Sequence, residues 1–149
     1  MFTFKKFNSN ATSSMKLDAP VSANIDTGRL IYFNSGVPTL VDVDTANTNE
    51  IYLLAEKLVT RATEANKEGR KHTAVYFEIK PSDELSGEYI HDTETTADAP
   101  SVGDEVTVVD GVTVAKPGEG EVSRFVISEV INAYEDGSDT VTKVTLKRI

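Results

Sequence analysis

The chain has 149 residues, no cysteine and a formal net charge of −9. That length suits one domain with a core of its own, and the missing cysteines exclude a disulfide framework and thiolate chemistry. The acidic balance argues against a general nucleic-acid binder, which needs cationic surface to displace phosphate counterions. No apolar run approaches the length of a membrane span. Met1-Phe2-Thr3-Phe4-Lys5-Lys6-Phe7 leads into Asn, Ser and Thr and not into the apolar stretch of a signal peptide. The expected setting is the cytoplasm in which the chain is made or assembles.

Residues 1–20 show no sustained apolar period, and Asn8 to Ser14 are nearly all small and polar, which favours loop or extended chain. The stretch nevertheless holds Phe2, Phe4 and Phe7, three of the chain's six phenylalanines, and carries Lys5, Lys6 and Lys16 against Asp18. Three large aromatics in a frayed terminus would leave apolar surface in water. We therefore expect an extended N-terminal arm over 1–20 that docks on a neighbouring subunit. Phe2, Phe4, Lys5, Lys6 and Phe7 are its partner-binding residues, and 21–149 is the folded domain. The alternative is that the phenylalanines pack on the chain's own domain.

Gly28 to Phe33 reads as a strand apolar on both faces, Asn34-Ser35-Gly36 as a turn, and Val37 to Val43 as the return strand. Pro38 has no N–H to give a ladder, which assigns that strand to a sheet edge. Asp44 to Glu50 is polar loop. Ile51, Leu54, Ala55, Leu58, Val59 and Ala62 recur at helical spacing, while Ile51-Tyr52-Leu53-Leu54 also fits a strand buried on two sides. Period alone favours the helix over this stretch. Thr73 to Lys80 alternates strictly: Val75, Phe77 and Ile79 point one way, Tyr76, Glu78 and Lys80 the other. Ser82 to Pro100 is acidic and Thr-rich and reads as a long surface loop with at most an edge strand at Tyr89-Ile90. Within residues 83–121 eleven acids face the single Lys116.

The last third has the clearest grammar. Glu105 to Val109 and Val112 to Ala115 flank Asp110-Gly111, a pair suited to a type I′ hairpin turn with positive φ at both central positions. A loop at Lys116 to Gly120 follows, then strands over Val122 to Ile131 and Val141 to Leu146 around Glu135-Asp136-Gly137-Ser138. The fold class is all-β, a small barrel or sandwich.

Catalytic and metal templates fail. His91-Asp92-Thr93-Glu94 holds possible metal ligands, but a lone cluster in an acidic loop is more often solvated surface; these are the first residues to test if a metal is found. Asp42-Val43-Asp44 opens like a calcium loop, but Ala46 and Asn47 stand where a ligand and the obligatory Gly belong. Gly118-Glu119-Gly120-Glu121-Val122-Ser123 lacks the last Gly of a dinucleotide loop and leads into a strand. No Gly-x-Ser-x-Gly elbow occurs. A non-enzyme without metal or cofactor is expected.

As a whole the pattern resembles the head decoration, or capsid cement, proteins of tailed bacteriophages. The residues that carry the likeness are Ile25 to Phe33 with Gly36-Val37-Pro38-Thr39-Leu40, then Ile51 to Glu56 and Val75 to Pro81. The close is Val102-Gly103-Asp104-Glu105-Val106, Asp110-Gly111, Phe125-Val126-Ile127 and Val144-Thr145-Leu146-Lys147. The resemblance implies a strand over roughly 51–60 in place of the helix, with Thr63 to Lys71 as a polar connection; Thr63–Lys71 and Ser82–Pro100 look like insertions relative to that pattern. The resemblance implies a virion structural protein on the outer capsid surface, clamping subunits of the major capsid protein beside further copies of itself, with no nucleic-acid or membrane partner. Two rival readings are a tail or connector subunit and a carbohydrate- or ligand-binding β-module. The second needs an aromatic platform, whereas there is no Trp and Tyr32, Tyr52, Tyr76, Tyr89 and Tyr134 lie on different predicted strands.

Overall fold

A computed structural model describes residues 1–6, 12–16, 24–44, 50–58 and 73–149. Along the first half run β1 (Thr3–Lys6), β2 (Thr12–Lys16), β3 (Leu30–Asn34), β4 (Val37–Leu40), β5 (Tyr52–Leu54) and β6 (Thr73–Glu78). The second half supplies β7 (Glu84–Asp92), β8 (Glu105–Val109), β9 (Thr113–Ala115), β10 (Phe125–Asp136) and β11 (Asp139–Arg148). They form one sheet in the order β1-β7-β11-β10-β8-β9 and a second in the order β2-β6-β5-β3-β4. Neighbours run antiparallel, except that β7 also meets β9 in parallel through Tyr89 and Val114, which curls the larger sheet back on itself. The described chain is thus mostly β and sandwich-like, as its turn spacing predicts.

The core lies between the sheets. Leu30, Val41, Ile51, Leu53 and Ile79 of the smaller sheet and its flanks join Leu85, Tyr89, Val106, Phe125, Ile127, Val144 and Leu146 in one buried cluster. Phe77 packs against it, and Ile79 is itself part of it, so the alternation of β6 has the predicted sense. Ile31 and Leu54 belong to a second cluster, with Phe33, Tyr52 and Tyr76 packed against it. The smaller sheet therefore carries apolar side chains on both faces. That explains why Ile51 to Leu54 matched two periods: β5 buries Leu53 one way and Leu54 the other. Beyond it, Leu58 makes only an isolated bridge with Ile25, and 59–72 lie outside the described residues. Pro38 sits on β4, the edge strand of its sheet, as its missing N–H requires.

The turn at Asp110-Gly111 has φ 50° and 64°, and the Val112 N–H donates to the Val109 carbonyl at 3.0 Å. Val112 is one extra residue before pairing resumes at Val109 and Thr113. The turn also ties the sheets together. The Gly111 N–H donates to the Val41 carbonyl at 2.6 Å, and the Leu30 N–H donates to the Gly111 carbonyl at 2.9 Å. A Cβ at Gly111 would stand 2.5 Å from the Leu30 carbonyl oxygen, so both the positive φ and the close approach require glycine.

Two expectations need correction. Residues 84–92 are not surface loop with a marginal edge strand; they form β7, paired with β1, β11 and β9. Its inward positions include Leu85, Gly87 and Tyr89, and its outward ones Glu84, Ser86 and Glu88. The alternation is real, but a glycine in the middle of the buried face and acids on the other hide it from a hydropathy reading. Nor do the described residues of the expected arm, 1–6 and 12–16, stand apart from the domain. Strand β1 pairs with β7 and β2 with β6, each at a sheet margin, and Phe2 is buried in the main core at 1% exposure.

Candidate functional site

The residues expected to bind a partner are used internally wherever they are described. The Phe2 N–H donates to the Gly28 carbonyl at 2.9 Å, and its ring lies over Gly87, where a Cβ would come within 2.9 Å of it. Phe4 packs on the main core and meets Phe77 edge-on at 5.6 Å between ring centroids. The Lys5 ammonium crosses the sheet to donate to the Thr145 hydroxyl at 2.7 Å and to Glu129 at 3.4 Å. Hydrogen bonds from Thr145 first, then from Lys5, hold the Glu129 carboxyl below the usual range. Phe7 and the side chain of Lys6 lie outside the described residues. A free apolar arm is therefore not what Phe2, Phe4 and Lys5 form.

The exposed apolar surface lies elsewhere. Strand β10 pairs with β8 only through Phe125 and Val126, whereas its ladder with β11 runs on to Asp136 and Asp139. Past Ile127, whose N–H and carbonyl bond to Asp104 and Gly103, no described strand lies on that side of β10. The result is a two-stranded ribbon with an open edge, closed at its tip by Gly137-Ser138. Irregularities between Ile127 and Glu129 and between Val130 and Asn132 bend it. Every β10 residue from Ser128 to Asp136 is exposed, among them Val130 at 38%, Ile131 at 45% and Tyr134 at 56%. Beside Tyr134 a shallow cleft of about 260 Å³ is lined by Glu88, Asn132, Val141 and Lys143. Such an edge is a template for strand addition, and exposed valine, isoleucine and tyrosine do not protect it. Sequence reasoning ended this strand at Ile131 and missed its overhang, because that depends on where β8 begins.

The smaller sheet brings together aromatics that the sequence separates. Strands β6, β5 and β3 are neighbours, so Tyr76, Tyr52 and Phe33 meet on the face turned from the main core. The separation of tyrosines over different strands, counted against an aromatic platform, thus does not keep Tyr52 and Tyr76 apart. Their ring centroids lie 4.8 Å from each other, and Phe33 lies 5.3 Å from Tyr52 and 4.9 Å from Tyr76. The Tyr52 hydroxyl donates to Glu50 at 2.8 Å. Burial first, then the Glu50 and Glu78 carboxylates, push the Tyr52 and Tyr76 phenols above their ordinary pKa.

Acids from the rejected metal and dinucleotide-loop templates serve as turn acceptors. Asp92 accepts the Glu94 N–H at 2.9 Å, Asp42 the Asp110 N–H at 3.1 Å, and Glu121 the Gly118 N–H at 2.7 Å. His91 lies beside Tyr89 and lines a cleft of about 340 Å³ with Asp92, Asp98 and Lys116. Among the described residues no three His, Cys, Asp or Glu side chains are grouped as a metal would need, and no helix is long and apolar enough to cross a membrane.

No protein-family model, no curated protein and no solved structure matches the chain.

Proposed function

We propose that this chain is a non-enzymatic head decoration protein of a tailed phage. It sits on the outer capsid surface, ties neighbouring major capsid subunits together, and attaches through the open edge of the β10–β11 ribbon. The carrying observation is that ribbon: Val130, Ile131 and Tyr134 stand in water on a strand whose outer side lacks a described partner beyond Ile127. An exposed sheet edge on the shell can add to it, with backbone hydrogen bonds giving affinity and the apolar side chains giving selectivity. Many copies on a lattice then add avidity.

Charge supports a foreign partner over self-pairing. If two copies of β10 paired antiparallel about Asn132, Glu129 of each would face Glu135 of the other, and like charges directly opposite repel. Acidic outer residues also keep coated particles from sticking to one another. The use of Asp42, Asp92 and Glu121 as turn acceptors favours a structural role over a catalytic one.

The test is co-sedimentation of the purified chain with expanded heads of the phage whose genome encodes it, followed by cryo-EM of the decorated particles. Saturable binding at a fixed ratio to the major capsid protein is expected, with the ribbon against the shell and an affinity at least about tenfold lower for Ile131→Asp. Density at the tail or connector would replace this reading by the rival virion role. No binding to heads would overturn it.

A further inference from the structure

The outer face of the smaller sheet offers a site of a different chemistry. Pairing of Ile31 with Tyr52 and of Tyr52 with Glu78 puts these side chains on one face, and Leu54 with Tyr76 extends it. The rings of Phe33, Tyr52 and Tyr76 meet edge-to-face at interplanar angles of 60°, 61° and 69°. At centroid separations of 4.8 to 5.3 Å the rings touch one another, so no cation fits between them. They make a platform and not a cage, and all three are partly exposed. Two carboxylates border it, Glu50 at the Tyr52 hydroxyl and Glu78 on the paired strand, with Lys80 3.8 Å from Glu78.

We propose that Phe33, Tyr52 and Tyr76, with Glu50 and Glu78, form a recognition site for a guanidinium group, namely an arginine side chain presented by a partner protein. Aromatic faces attract cations; the three rings are tilted by 60°, 61° and 69° to one another, so a flat guanidinium stacks on one exposed ring face, where a compact, strongly hydrated ammonium makes a smaller contact. Its in-plane N–H donors point outward, toward carboxylates at the rim. A neutral ligand could donate hydrogen bonds to the two acids but would gain no charge attraction from them, and an anion would be repelled. The site rests on its own geometry and stands whichever assembly the β10 edge joins.

The experiment uses the full chain and a probe series followed by the NMR signals of the three rings. Nα-acetyl-arginine amide should shift Phe33, Tyr52 and Tyr76 saturably, with weak affinity of about millimolar order. Its uncharged isostere, Nα-acetyl-citrulline amide, should bind about tenfold more weakly or not at all, and Nα-acetyl-lysine amide should fall between. The double variant Glu50→Gln, Glu78→Gln should lower arginine affinity about tenfold while the far-UV circular dichroism stays that of the parent. If the rings only seal Ile31 and Leu54, arginine and citrulline will act alike, and that result overturns the proposal. Shifts spread evenly over the acidic surface, or an unchanged affinity in the double variant, overturn it as well.

Discussion

β1 and the far half of β10 both run along margins of the larger sheet with large apolar residues on or beside them, yet Phe2, just ahead of β1, is 1% exposed and Tyr134 56%. The difference comes from what each margin faces. Beneath Phe2 lies Gly87 of β7, whose missing side chain leaves room for the ring against Leu146, and Gly28 accepts the Phe2 N–H. Beside the far half of β10 the chain has not yet entered β8, which begins at Glu105 opposite Val126, and the bends in β10 carry the ribbon past the sandwich. Apolar content alone therefore does not mark a docking strand. What marks it is whether the neighbouring strand runs far enough, and has a small enough residue, to receive the side chain.

The largest expected effect tests the closed margin. Phe2→Ala should cost about 3–5 kcal/mol, the range for emptying a buried aromatic site. Urea unfolding should show a lower midpoint with an unchanged slope, and an unmoved midpoint would return Phe2 to the role of a free arm. Gly87→Ala places a Cβ 2.8 Å from Leu146 Cδ1 and 2.9 Å from Phe2 Cε1. It should cost about 1–3 kcal/mol through overpacking. In a Phe2→Ala background that cost should shrink, because the cavity accepts the methyl group, and a strictly additive pair would break the link between these residues.

The same contrast shows what the sequence makes legible. Local turn chemistry is readable: Asn34-Ser35-Gly36 and Asp110-Gly111 turn where their residue types say they should. Strict alternation is readable too, as in β6. Strand β7 is not, because Gly87 interrupts its buried face and that glycine is explained only by Phe2, far away in the chain. Neither is the aromatic platform, since the order β6-β5-β3 and not the sequence decides that Phe33, Tyr52 and Tyr76 touch. The overhang of β10 is hidden for the same reason. Its residues are visible, but the length of its neighbour is a tertiary fact.

A smaller effect bears on the joint between the sheets. Gly111→Val must hold a β-branched residue at φ 64° and push against the Leu30 carbonyl oxygen. The expected loss is about 1–3 kcal/mol, read as a fall in melting temperature. Gly137, with φ 63° and open space around its absent Cβ, is the control: Gly137→Asn should cost less, since nothing stands in its way and asparagine tolerates that conformation. Equal losses at both sites would mean that the contact of Gly111 with Leu30 is unimportant.

Alkaline titration separates the enclosed aromatics from the solvent. Burial, as the leading cause, raises the pKa of Tyr52, Tyr76 and Tyr89. A phenol whose folded pKa exceeds its unfolded value of about 10 contributes stability that is fully present below pH 10 and is lost as pH climbs above it. Arg148, lowered to about 10 by burial and by the neighbouring Arg124, acts in the opposite sense over that window. Tyrosinate absorbance is therefore the proper readout and not the melting temperature. A native chain should ionise these phenols later than the same chain in denaturant, and superimposable curves would contradict the raised pKa of the three phenols.

The smallest expected effect on stability is the one that isolates the open margin. Ile131 and Tyr134 point into water and fill no core position, so Ile131→Ser and Tyr134→Ser should leave stability within about 0.5 kcal/mol of the parent. The same substitutions should weaken attachment to capsids, whereas Phe2→Ala, under conditions where it remains folded, should not. Amide exchange checks the geometry without any partner. The Phe2 N–H, bonded to Gly28, should exchange slowly, while the amides between Glu129 and Asp136 that do not bond to β11 should exchange as fast as exposed chain. If every amide in that stretch proves as protected as that of Phe2, the edge is covered in the isolated chain and the contrast between the two margins fails. If protection appears only when heads are added, and is confined to that stretch, the partner strand has added where the ribbon leaves its edge open.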